Sequence, residues 1–68
     1  MSATTTPDLS DVTALAREAN RLCRLKYSEA HQHHLFEQWC RRIDRAQQLW
    51  PTAMAVDELQ RLISLLRR

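Results

Sequence analysis

Apolar residues recur along the chain at spacings of three and four, the period of an α-helix. The clearest run is Phe36, Trp39, Ile43, Ala46 and Trp50, at successive spacings of 3, 4, 3 and 4. It contains both tryptophans and the only phenylalanine. Aromatic side chains bury the most apolar area per residue, so this stripe is expected to organise the core. Glu37, Arg41, Asp44, Arg45 and Gln48 fall on the opposite face and belong in water.

The pattern predicts three helices. The first spans about residues 8–26, with Val12, Leu15, Ala19 and Leu22 on its stripe and Leu9, Ala16, Cys23 and Leu25 widening it. Pro7 suits a first helical position, and Asp8 and Asp11 suit the positive end of the helix dipole. The stripe then lapses over Lys26 to His34 and its phase changes, because the first register extends to Phe36 and Cys40 while the second uses Phe36, Trp39 and Ile43. A turn near Tyr27-Ser28, with Ser28 as N-cap and Glu29 next, resolves the mismatch into an αα-hairpin. One bent helix over residues 8–49 is the alternative.

The second helix is expected over about 29–49, ended by Pro51, which disfavours helical geometry at Trp50. Its polar side offers the pairs Glu37–Arg41 and Arg41–Asp44. The third helix starts at Thr52 or at Asp57, where Asp57-Glu58-Leu59-Gln60 has the form of a capping box. Val56, Leu59, Ile63 and Leu66 form its stripe, with Met54, Leu62 and Leu65 extending it. So broad a face exceeds what one hairpin covers. Leu59, Leu62, Ile63, Leu65 and Leu66 are therefore expected to meet a second subunit or a partner. The whole reads as an all-α single domain over residues 7–68, completed into a bundle by oligomerisation, behind a mobile polar tail of residues 1–6.

Composition supports this. The 68 residues contain no glycine, so turns needing positive φ are hard to build, and good helix formers dominate. A chain this short buries only about 60% of the surface its unfolded form exposes, which favours help from a disulfide, a metal or a partner. The net charge of +2 does not by itself imply nucleic acid. No apolar run reaches the roughly 18 residues of a membrane span. The polar N-terminus carries no secretory pattern, so a cytoplasmic protein with reduced Cys23 and Cys40 is expected.

Three constellations bear on chemistry. Arg17, Arg21 and Arg24 form a stripe, with Glu18 placed to pair with Arg21, and are the candidate nucleic-acid contact. His31, His33 and His34 lie near Glu37 and Cys40, but no second Cys or His pair stands at zinc-site spacing, so no metal or cofactor is assigned. A Cys40–His33 nucleophilic pair lacks a pocket and an oxyanion site in a small glycine-free bundle, so no catalytic residue is assigned and an enzyme is not expected. Both cysteines read as small apolar residues, and a disulfide between them requires an oxidising setting.

The function expected from the sequence is a small helical protein–protein interaction or regulatory module: an adaptor, inhibitor or assembly factor. It would act by helix packing, with a homodimer favoured. The alternative is a dimeric DNA-binding regulator using the arginines of the first helix.

Overall fold

The computed structural model describes residues 8–28 and 30–68. The expected tail, Pro7 and Glu29 lie outside the described residues. Three helices pack against one another: α1 (Leu9–Lys26), α2 (His33–Gln47) and α3 (Thr52–Leu66). The described residues contain no strand.

α1 begins at Asp8, whose carboxylate accepts from Ser10 N at 2.9 Å and Asp11 N at 3.2 Å. Asp11 returns the bond, its carboxylate accepting from Asp8 N at 3.1 Å. Two aspartates thus close a reciprocal capping box, which satisfies N–H groups that the first turn leaves unpaired. Val12, Ala16, Ala19 and Cys23 form the buried edge of α1.

The chain then turns, so the hairpin forms and the single bent helix does not. Ser28 organises the turn rather than the helix. Its carbonyl accepts from Gln32 N at 2.7 Å, and its hydroxyl accepts from His31 N at 3.3 Å. α2 starts at His33, with Gln32 at the N-cap position making no side-chain capping bond. Ser28, Ala30, His31 and Gln32 are all exposed, so none of them packs a helical turn onto the core, and short helical turns need such packing.

α2 also ends before the expected boundary. Gln48 N donates to Arg45 O at 3.0 Å and Leu49 N to Ala46 O at 3.3 Å, the tightened bonds of a closing turn. Trp50 has therefore left the helical register. It is 81% exposed, which corrects its placement on the core stripe. Ile43 and Ala46 are buried, while Phe36 and Trp39 are partly buried against the core.

α3 takes the Thr52 start, with Pro51 at the N-cap position. The Asp57 capping box does not form, because the residue lies inside the helix. Its buried face is Ala55, Leu59, Leu62, Ile63 and Leu66. α3 packs on both α1 and α2, most extensively on α1. The directions follow from contacts between distant residues. Lys26 Nζ donates to Arg68 O at 2.9 Å and Arg67 pairs with Glu18 at 3.2 Å, so α1 and α3 end together and run parallel. α2 runs antiparallel to both.

This geometry explains the fate of the leucine-rich face. Leu59 and Leu62 are fully buried, Ile63 and Leu66 nearly so, and Leu65 is partly buried, all within one chain. A helix lying against two neighbours has a wider arc covered than a helix on one. Within one chain α1 and α2 thus cover most of the face whose breadth pointed these five residues toward a second subunit, with Leu65 left partly exposed.

Candidate docking surface

With Leu59, Leu62, Ile63 and Leu66 enclosed, the exposed apolar and basic side chains lie elsewhere on the molecule. Gln38, Arg42, Arg45 and Leu49 succeed one another at helical spacing along one flank of α2 and its closing turn. Arg42, Arg45, Ala46 and Leu49 border a shallow hollow of about 330 Å³ whose far wall is Glu58 of α3. A second hollow, of about 240 Å³, adjoins it and is lined by Gln38, Arg41, Arg42 and Arg45.

The apolar part of the surface comes from the α2–α3 connection. Leu49 is 37% exposed, Met54 is 50% exposed, and Trp50 stands between them in sequence. Met54 lies one helical turn before Glu58, on the α3 side that borders the hollow. Pro51 is the sequence signal that was available for this arrangement, since a proline that stops α2 also releases Trp50 from its stripe.

The basic part is weakly neutralised. Among the described residues, Arg17, Arg24, Arg41, Arg42 and Arg45 have no ion-pair partner. The expected Glu37–Arg41 and Arg41–Asp44 pairs do not form. Glu37 instead meets His33 Nε2 at 3.4 Å, one turn back. The Arg42 guanidinium lies 4.5 Å from the ring centroid of Trp39, a cation–π contact that fixes it at the rim.

On the α1 side, Arg17, Arg21 and Arg24 do come together. With Asn20 and Leu25 they line a shallow hollow of about 390 Å³. Arg21 is held by Glu18 at 2.8 Å, as its spacing predicts. Glu18 also receives Arg67, so one carboxylate serves two arginines. The hydrogen bond from Arg21, joined by that from Arg67, holds the Glu18 carboxyl below its ordinary range against a smaller opposing effect of burial.

The remaining candidates are dispersed. His31 Nδ1 lies 3.2 Å from the Ser28 hydroxyl, and the rings of His33 and His34 sit 6.1 Å apart, tilted. Among the described residues, no three His, Cys, Asp or Glu side chains gather closely enough to hold a metal ion. Cys23 is fully buried and Cys40 partly buried, both as free thiols. Burial pushes the Cys23 thiol up to about 11, and the neighbouring Cys40 thiol adds to the rise. No described helix is long and apolar enough to cross a membrane.

Compared with protein-family models, curated proteins and solved structures, the chain has no significant match.

Proposed function

We propose that the protein is a helical protein–protein interaction module, and that it receives an acidic amphipathic helix on the α2–α3 face. Leu49, Trp50 and Met54 would be the apolar anchors, and Arg42 and Arg45 the rim that fixes orientation. The observation that carries this reading is Trp50, 81% exposed beside two further exposed apolar residues in a chain whose other tryptophan is packed. Exposed tryptophan and arginine are the residue types that dominate binding energy when a partner covers them. Unneutralised guanidinium groups at the rim favour carboxylates on that partner. The proposed setting is the cytosol, where both thiols stay reduced.

The test uses Trp39→Phe protein, in which Trp50 is the only indole. A synthetic helix with leucine at heptad spacing and glutamate elsewhere is titrated in. The reading expects a blue shift of Trp50 emission that Arg42→Glu/Arg45→Glu abolishes. An unchanged spectrum at millimolar peptide contradicts it. A blue shift with rising protein concentration and no peptide would instead assign the face to a second copy of this chain.

A second reading rests on the α1 hollow. Three arginines on one face suit phosphates, and a nucleic acid is the alternative partner. Duplex DNA titrated at two salt concentrations separates the readings. Binding that falls steeply with salt and is lost in Arg17→Ala/Arg24→Ala supports it, and no binding at low salt removes it.

A further inference from the structure

We propose that the partner helix is held at both ends: it spans the whole α2–α3 flank, from the Trp50 end to a second apolar anchor at Leu35, with carboxylates between. This inference rests on the docking of an acidic helix proposed above. It adds the length of that helix and the spacing of its apolar residues.

The pattern along the flank carries it. Leu35, Gln38, Arg42, Arg45 and Leu49 follow one another at spacings of 3, 4, 3 and 4. One side of α2 and its closing turn is therefore apolar at both ends and polar in the middle. The facing side of α3 repeats the order, with Met54, Glu58, Arg61 and Leu65 at spacings of 4, 3 and 4. Because α2 and α3 run antiparallel, Met54 precedes Glu58 on the Leu49 side, and Leu65 follows it toward the Leu35 end. Two adjoining hollows, which share Arg42 and Arg45, connect Gln38 to Leu49. Leu35 lies one turn beyond Gln38 and is 41% exposed, about as open as Leu49 at the other end.

Charge selects the occupant. Among the described residues Arg42 and Arg45 have no ion-pair partner, whereas Glu58 is already paired with Arg61 at 3.4 Å. The contact with Trp39 holds the Arg42 guanidinium at the centre of the stripe. A second copy of this chain, docked about a two-fold axis at the middle of the stripe, would bring Arg42 up against its own duplicate, and the two would repel. A helix with glutamate or aspartate between two apolar ends fits instead. Leu35 and Leu49 are fourteen residues apart, about 20 Å at the helical rise. A partner helix covers that distance in two heptads, so it needs apolar residues two heptads apart and about 18 residues in all.

Two synthetic peptides of that length test this by titration calorimetry against the unmutated full-length protein. The two-ended peptide has leucines at both ends, two heptads apart, with glutamates between. The one-ended peptide has glutamine in place of the leucine at one end, which leaves helix propensity nearly the same. The two-ended peptide should bind about tenfold tighter, the gain from covering one more leucine. Leu35→Gln, a change at an exposed site, should erase most of that difference and leave the one-ended affinity unchanged. Equal binding of the two peptides to unmutated protein overturns the second anchor and leaves the docking reading standing. A gain that survives Leu35→Gln in full also overturns it, because the far end then rests elsewhere. Failure of both peptides to bind removes the docking reading and this inference with it.

Discussion

Trp39 stacks on Tyr27 across the α1–α2 hairpin, its ring centroid 6.4 Å from the tyrosine's, and the Arg42 guanidinium lies 4.5 Å from the same tryptophan. Three side chains from the hairpin thus lock the two helices at one level. Removing the indole should cost about 2 kcal/mol, below the range for fully buried tryptophan because this one is only partly enclosed. A double-mutant cycle of Trp39→Ala with Tyr27→Ala, read by urea denaturation, should give a coupling of about 0.5–1.5 kcal/mol. Strict additivity would mean the stack contributes only area.

The two regions assigned opposite roles should respond oppositely to truncation. Leu62 is fully buried, so Leu62→Ala should cost about 2–5 kcal/mol. In so small a domain that is a large share of the total stability, and helical circular dichroism should fall sharply at 25 °C. Trp50→Ala should leave the melting curve within about 0.5 kcal/mol, as for other exposed sites. A destabilised Trp50→Ala protein would show that the indole belongs to the fold and not to a partner.

Acid should loosen the junction between α1 and α3. The folded pKa of Glu18 is depressed by Arg21 and Arg67. A depressed carboxyl contributes stability that is present above the unfolded value, 4.5 here, and lost as pH falls through the folded one. Glu18→Gln should therefore remove part of the stability loss seen below pH 4.5 in chemical denaturation. An unchanged acid limb would show that the two arginines do not act through this carboxylate.

Alkali should act through Cys23. Its folded pKa is raised from 9.0 to about 11, so the native state keeps a proton that the unfolded state has lost. The contribution is complete below pH 9 and is lost as pH rises toward 11. Cys23→Ala should flatten stability against pH in that window, whatever the fixed cost of the cavity. A slope equal to wild type would mean the thiol is not shielded.

Much of this architecture is legible in the sequence, and the misreadings have physical causes. The 3-4 spacing located all three helices, and the phase change at Lys26 to His34 located the turn. Period alone, however, does not report where a helix stops, so extending the stripe four residues past Ala46 put Trp50 in the core. Nor does it report how many neighbours a helix has. Leu59, Leu62, Ile63, Leu65 and Leu66 look like surplus beside one hairpin face, but α3 meets both α1 and α2. The arginines of α1 were legible as a group because they share one helix. The α2–α3 surface was not, because it is assembled across a turn.

The claim on which the rest depends is that one chain encloses its own leucine-rich helix and leaves the Trp50 end for a partner. Its most direct test is thermal melting across a hundredfold range of protein concentration, with sedimentation equilibrium at both extremes. The account predicts a single 8.0 kDa species and a midpoint independent of concentration. A midpoint that climbs with concentration, together with a folded species of twice that mass, would contradict it, because α3 would then complete its core only against a second copy.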